Sequence, residues 1–191
     1  MNKFQSKLIL SISLFLLWSF FASAAKADDY HWISTYVGKS TNDLIWNSQY
    51  QKAVEKFFGN QKNSYLGTRK AWKISDSMRS VLGGPPDTVI QLDNGYIVAS
   101  ACRAHSCDEK GMLIYDPATN SIAFAMLHYF LEEKTYKKNG YVTIFIKKDA
   151  IDGFVNEAIS ISQKWRGTLT KESADSKYSK IDPEFRIEKI Q

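Results

Sequence analysis

Apolar residues recur with helical spacing in the first third of the chain. Four of them fall on one face: Tyr50, Val54, Phe57 and Phe58. This spacing predicts an amphipathic helix over residues 41–58. Thr41 or Asn42 can cap its start, and Gly59 can end it in a left-handed conformation.

A second stretch near the C-terminus has the same periodicity. One stripe, apolar except for its serine, comprises Ile151, Phe154, Val155, Ala158, Ile159, Ser162 and Trp165. We therefore predict a helix over residues 149–166. Asp149 and Asp152 supply a cap-like start, and Gly167 is the expected stop.

Between the two helices, β-rich runs alternate with turn signals. The predicted strands are Thr88–Leu92, Tyr96–Ser100, Met112–Tyr115, Ser121–Tyr129 and Tyr141–Ile146. Asp93-Asn94-Gly95 is typical of a tight hairpin, Asp116–Asn120 of a turn, and Asn139-Gly140 of a turn that enters the fifth strand. Gly83–Pro86 is expected to separate the earlier segment from the sheet. A last short strand is predicted at Phe185–Ile190. This order predicts an α+β fold with a central antiparallel sheet flanked by helices.

The N-terminus has the layout of an export signal. Lys3 and Lys7 precede an apolar run from Leu8 to Phe21, which is shorter than a membrane span. Small residues follow, with small-x-small cleavage patterns that end at Ala24 and Ala27. We predict that residues 1–27 are a cleaved signal peptide, that residues 28–191 form one domain, and that the mature chain is not membrane-bound.

Processing changes the charge balance. The segment removed carries three lysines and no acid, so the formal charge falls from +5 (25 basic, 20 acidic) to about +2 (22 basic, 20 acidic). No basic stripe interleaved with aromatic residues marks a nucleic-acid fold. The high aromatic content, 14%, argues against a disordered chain. The composition therefore favours a folded exported domain without a nucleic-acid partner.

The two cysteines, Cys102 and Cys107, lie between two predicted strands and enclose His105. An oxidising compartment favours a disulfide, which would close a short loop. Four interpretations remain open from the residues alone. The loop could be a purely structural bridge, a metal site with the histidine as third ligand, a thiol redox centre, or a rigid recognition loop. The C-x4-C spacing and the absence of a fourth ligand cluster disfavour metal and redox chemistry.

The run from Gly95 to Cys107 resembles the signature of the Ivy family, the periplasmic inhibitors of vertebrate-type lysozyme. In that family a strand ends in Ser-Ala-Cys and is followed by a basic residue, proline, histidine, aspartate and cysteine. Here Ser100-Ala101-Cys102, Arg103, His105 and Cys107 match. Ala104 stands in place of the proline and Ser106 in place of the aspartate. The resemblance covers roughly residues 88–127.

The resemblance implies a sheet of about five strands and a protruding, disulfide-closed loop that occludes the active-site cleft of its target. The implied target-binding residues are Arg103, Ala104, His105, Ser106 and Asp108. The implied partner is a c-type lysozyme, or a lytic transglycosylase as a related peptidoglycan glycosidase, with the periplasm as location and a homodimer as the default assembly. An immunity protein against a rival's wall hydrolase, and a small exported metal- or redox-active protein, are the alternatives.

No catalytic constellation is apparent in the remaining residues. Ser100 and Ser106 lie near His105, but no nucleophile elbow or partner acid accompanies them. His128 follows an apolar strand and is expected to be packed, and His31 lies near the new N-terminus. We therefore expect a binding protein, not an enzyme, with no cofactor and no metal.

Overall fold

The computed structural model describes residues 29–67, 71–130, 136–172 and 180–191. A 3-10 helix spans His31–Tyr36. The α-helices are α1 Thr41–Ile45, α2 Ser48–Phe58, α3 Ile74–Leu82 and α4 Asp152–Glu172. The strands are β1 Lys62–Asn63, β2 Trp72–Lys73, β3 Ile90–Gln91, β4 Ile97–Arg103, β5 Ser106–Asp116, β6 Ser121–Phe130, β7 Tyr136–Lys147 and β8 Lys180–Ile190. The predicted signal peptide lies outside the described residues.

Within the described residues, the main sheet has six strands in the order β3 to β8. Strands β3 to β7 pair antiparallel in chain order, whereas β8 pairs parallel with β7. The expected antiparallel sheet of about five strands is therefore too small, and its purely antiparallel character is wrong. Helix α4 lies between β7 and β8 in the chain, and such a crossover allows the chain to return in the same direction. The α+β class and the flanking helices are confirmed.

The sheet separates two apolar cores. On one face, side chains such as Ile97, Ala99 and Phe124 pack with the 3-10 helix and α1 to α3. On the other face, side chains such as Met112 and Ile144 pack against α4. The central strands β5 and β6 are buried on both faces. The sheet is therefore packed between helices on both faces. The connection between β4 and β5 projects from this packed sheet.

The first predicted helix is in fact two helices. Ser40 caps α1 by accepting from the amide of Asn42, and Asn47 caps α2 by accepting from the amide of Gln49 at 2.7 Å. A second N-cap residue inside the apolar pattern restarts the helix there, because its side chain competes for backbone donors. Gly59, with φ of +55°, ends α2 as expected.

Other boundaries also differ from the predictions. Helix α3 was not predicted, and α4 begins at Asp152 and continues through Gly167 to Glu172. Asn139-Gly140 is not a turn but part of β7. A Cβ on Gly140 would lie 2.9 Å from Leu127 Cδ1, so this glycine allows close packing between strands. In the described part of the chain, no helix is long and apolar enough to cross a membrane.

Candidate functional site

The β4–β5 connection is a tight hairpin. Arg103 pairs with Ser106, so Ala104 and His105 alone form the turn. Cys102 and Cys107 are joined by a disulfide, with Cα atoms 4.7 Å apart. The predicted bridge is confirmed, and we call residues 102–107 the disulfide loop.

A bulge on β5 makes this hairpin irregular. Cys102 pairs with Lys110, whereas the adjacent Arg103 pairs with Ser106. Residues 107–109 are therefore extra on one strand and have no pairing partner on β4. Bulges of this kind redirect side chains and are frequent at functional sites. The disulfide joins Cys102 to Cys107, the first of these three residues, directly behind the turn.

His105 occupies the apex of the hairpin. Its side chain is exposed, and its backbone φ of +63° lies in the left-handed region. Asn, Asp and His are the non-glycine residues that enter this region most often, so the position tolerates histidine. The imidazole therefore extends from a defined turn where a partner can reach both ring nitrogens.

Arg103 is held within the hairpin. Its guanidinium forms an ion pair with the carboxylate of Glu109, which is buried in the bulge. A buried carboxylate needs such a partner, because burying an unpaired charge is costly. Sequence reasoning assigned Arg103 to the target and overlooked Glu109, since the irregular register that joins them leaves no sequence signal. The structure gives Arg103 a role in shaping the loop.

The other predicted contact residues surround His105. Ala104 and Asp108 are exposed, and Ser106 is partly buried. All five predicted residues therefore belong to one hairpin. Their binding to a target stays a prediction.

The Gly-Pro segment lies against this hairpin instead of separating the helices from the sheet. The amide of Gly84 donates to the carbonyl of Cys102 at 2.9 Å, and the amide of Cys102 donates to the carbonyl of Pro85 at 3.0 Å. The expectation that this segment separates the helices from the sheet was wrong. Strand β3 pairs only with Ile97 and Val98 of β4, so on that side the later residues of β4 offer backbone donors and acceptors that the Gly-Pro segment pairs.

The other two histidines lie elsewhere. His128 is fully buried in β6, and its Nε2 is 2.8 Å from the Thr143 hydroxyl. Its packed, structural character is confirmed. The ring of His31 lies near Tyr115, with Nδ1 3.0 Å from the phenol oxygen. His105 is therefore the only histidine on the disulfide loop.

The positions of the cysteines, His105 and Ser100 bear on whether the disulfide loop could hold a metal ion, act as a thiol or form a hydrolase site. Both sulfurs are in the disulfide, so neither is available as a thiolate metal ligand. Among the described residues, no group of three His, Cys, Asp or Glu side chains is placed to hold a metal ion. The Ser100 hydroxyl donates to Asp87 at 2.5 Å, not to a histidine.

Comparison with known proteins gives a match to one protein family over the middle of the chain. The family model described as "Inhibitor of vertebrate lysozyme (Ivy)" matches residues 65–144. The match begins before α3, includes the disulfide loop, and ends within β7. No curated protein and no solved structure matches the chain. The resemblance read from the sequence is thus confirmed over this segment, and the matched family is one of inhibitors.

Proposed function

We propose that this chain, with its Ivy-type segment, is a periplasmic inhibitor of a c-type lysozyme or a related peptidoglycan glycosidase. The disulfide loop enters the active-site cleft of the target and excludes the glycan. One observation carries the proposal: His105 stands exposed at the apex of a bridged hairpin that lies inside the family match.

The chemistry of the target explains why a histidine suits this apex. A retaining lysozyme holds a glutamic acid of raised pKa and an ionised aspartate on either side of the bond it cleaves. An imidazole charges readily beside carboxylates and then donates from both ring nitrogens. One charge-assisted hydrogen bond contributes about 1.5–3 kcal/mol. His105 is thus the principal contact, and the rest of the interface supplies the remaining affinity.

The rigidity of the loop adds to affinity. Cys102–Cys107 closes the hairpin, and the Arg103–Glu109 ion pair fixes the bulge behind the turn. A loop that is already ordered loses less conformational entropy when it docks. The neighbouring Ala104, Ser106 and Asp108 form the rim that meets the walls of the cleft.

Charge influences the choice of target. The net charge of about +2 in the mature chain, 22 basic against 20 acidic residues, does not steer it toward a basic lysozyme. Directly after the loop, Asp108 places an exposed carboxylate near the turn, while Glu109 neutralises Arg103. Recognition of a basic cleft rim therefore depends on local contacts, and association should be slower than for an oppositely charged pair.

Titration of wall lysis tests the proposal. The mature protein is added to a c-type lysozyme and, separately, to a lytic transglycosylase, and residual lysis of purified cell walls is measured. His105→Ala should weaken inhibition at least tenfold, which corresponds to about 1.4 kcal/mol. His31→Ala is the matched control, because that histidine contacts Tyr115 and is not part of the hairpin.

The outcomes separate target from mechanism. Loss of inhibition in His105→Ala alone supports the cleft-plug mechanism and identifies the inhibited enzyme class. Equal inhibition by wild type and His105→Ala would show that the essential contact lies elsewhere than at the apex. No inhibition of either enzyme would exclude both targets.

A further inference from the structure

We infer that the segment from Gly83 to Asp87 is a brace that positions the disulfide loop, with Gly84 as its essential residue. This inference rests on the proposed function and deepens it, since it names a positioning residue 21 places before His105 in the sequence. The brace lies on the edge of β4, which β5 does not cover.

Backbone hydrogen bonds attach the brace to β4 along its last residues. Besides the two bonds between Cys102 and the residues Gly84 and Pro85, the amide of Asp87 donates to the carbonyl of Ser100 at 3.0 Å. Pro86 forms an antiparallel bridge with Ala101. Cys102 is therefore held on one side by its disulfide to β5 and on the other side by the brace.

The space at Gly84 admits no side chain. A Cβ there would lie 2.4 Å from the amide nitrogen of Ala104, 2.6 Å from the carbonyl oxygen of Cys102 and 2.7 Å from the carbonyl carbon of Arg103. These neighbours are backbone atoms of the loop, so they cannot rotate away as a flexible side chain could. Gly84 is not among the described residues with positive φ. Its requirement for glycine therefore comes from contact with the loop, not from its own backbone conformation.

The composition of the brace makes it stiff. Pro85 and Pro86 fix their own φ angles and have no amide hydrogen. The two amides that donate to β4 belong to Gly84 and Asp87, so the prolines remove no bond that the brace needs. On either side the chain enters the apolar core, through Leu82 at the end of α3 and through Val89, both fully buried. The brace thus connects the loop rigidly to the core.

The consequence for binding is geometric. The turn residues Ala104 and His105 follow Cys102 directly, and Gly84 contacts the amide nitrogen of Ala104. Displacing this contact tilts the whole turn without altering any side chain that meets the target. Gly84 is accordingly a positioning residue, whose effect on inhibition passes through His105.

A double-mutant cycle tests this coupling. Inhibition constants are measured for wild type, Gly84→Ala, His105→Ala and the double variant, with thermal unfolding recorded for each. Gly84→Ala should weaken inhibition at least tenfold while unfolding stays cooperative. His105→Ala should then weaken inhibition much less in the Gly84→Ala background than in wild type, because a displaced histidine already contributes little to binding. Gly167→Ala is the matched control, since a Cβ there meets nothing within 4 Å.

A merely structural role predicts other results. Undiminished inhibition by Gly84→Ala, or effects of the two substitutions that multiply independently, would overturn the inference. If Gly84→Ala does not unfold cooperatively, the cycle is repeated with Pro85→Ala/Pro86→Ala, which leaves Gly84 unchanged and removes the two rings that fix φ.

A second readout does not depend on the target. The rate at which dithiothreitol reduces Cys102–Cys107 should rise severalfold in Gly84→Ala relative to Gly167→Ala, because Cys102 is then no longer held in place by its hydrogen bonds to the brace. If wild type inhibits no wall hydrolase, the proposed function fails while this rate still tests the brace. An unchanged rate would reject it.

Discussion

Protonation of His128 should make the stability of this protein fall in weakly acidic solution. The imidazole is fully buried, its Nδ1 is 2.9 Å from the carbonyl oxygen of Phe130, and its Nε2 is 2.8 Å from the Thr143 hydroxyl. A carbonyl only accepts, so Nδ1 carries the hydrogen and Nε2 accepts from Thr143. The ring also stacks on Tyr65 with centroids 4.2 Å apart. The neutral form thus satisfies every partner in its site.

The magnitude follows from the pKa. Burial, opposed by the bond to Phe130 and assisted by the nearby charge of Arg186, lowers the pKa of His128 from 6.5 to about 4. Between these pH values the unfolded chain binds a proton that the native state does not, so stability decreases as the pH falls. The stabilisation is complete above pH 6.5, and about 3 kcal/mol is lost on acidification to pH 4.

Urea unfolding of wild type and His128→Asn at intervals between pH 7 and pH 4 measures this loss. Asparagine can donate to Phe130 but does not titrate, so the variant should start less stable and lose about 3 kcal/mol less on acidification. His105→Ala, which removes an exposed imidazole instead of the buried one, is the comparison variant. Parallel curves for wild type and His128→Asn would refute the argument, because the acid-sensitive group would then lie elsewhere.

Two further predictions concern the cysteines and the signal. Cys102→Ser/Cys107→Ser should lower the free energy of unfolding by about 2 kcal/mol, because so short a closed loop restricts the unfolded chain little. The melting temperature should fall by roughly 4–8 °C. The double variant should inhibit less than its folded fraction alone would explain. Inhibition that falls only in proportion to the folded fraction would contradict the idea that the disulfide shapes the loop. Intact mass of the exported protein should match a chain beginning at Ala25 or Asp28 and lie two hydrogen masses below the reduced form. A retained segment 1–27 would contradict export with cleavage.

The sequence predicts the parts of this fold that depend on local pattern. The central strands could be predicted because their apolar runs are bounded by strong turn signals. Gly95, with φ of +88°, lies in the Asp-Asn-Gly turn that the sequence predicts. The parallel return of β8 could not be predicted, because pairing direction depends on where α4 crosses the sheet. The break between α1 and α2 was missed because Asn47 interrupts the apolar stripe only through its side-chain cap.

The same limit applies to the site. The disulfide could be predicted from the short cysteine spacing and the oxidising compartment. His105 could be predicted as a site residue because it lies between the two cysteines. Glu109 could not be assigned, because its contact with Arg103 depends on the irregular register of the bulge. Gly84 left a signal in the Gly-Gly-Pro-Pro run, but composition alone indicated a linker. Only the three-dimensional arrangement shows that this run meets the loop backbone.

These contacts bear on how the loop stays ordered without the proline that the family resemblance implies at position 104. A proline there would restrict the turn from within, whereas alanine leaves the unfolded loop more freedom. In this chain the restriction comes from outside the turn, through the bridge, the buried Glu109 and the approach of Gly84 to the Ala104 amide. Rigid presentation of His105 therefore does not require the family's loop sequence to be preserved. It requires that the loop, the bulge and the brace remain in contact.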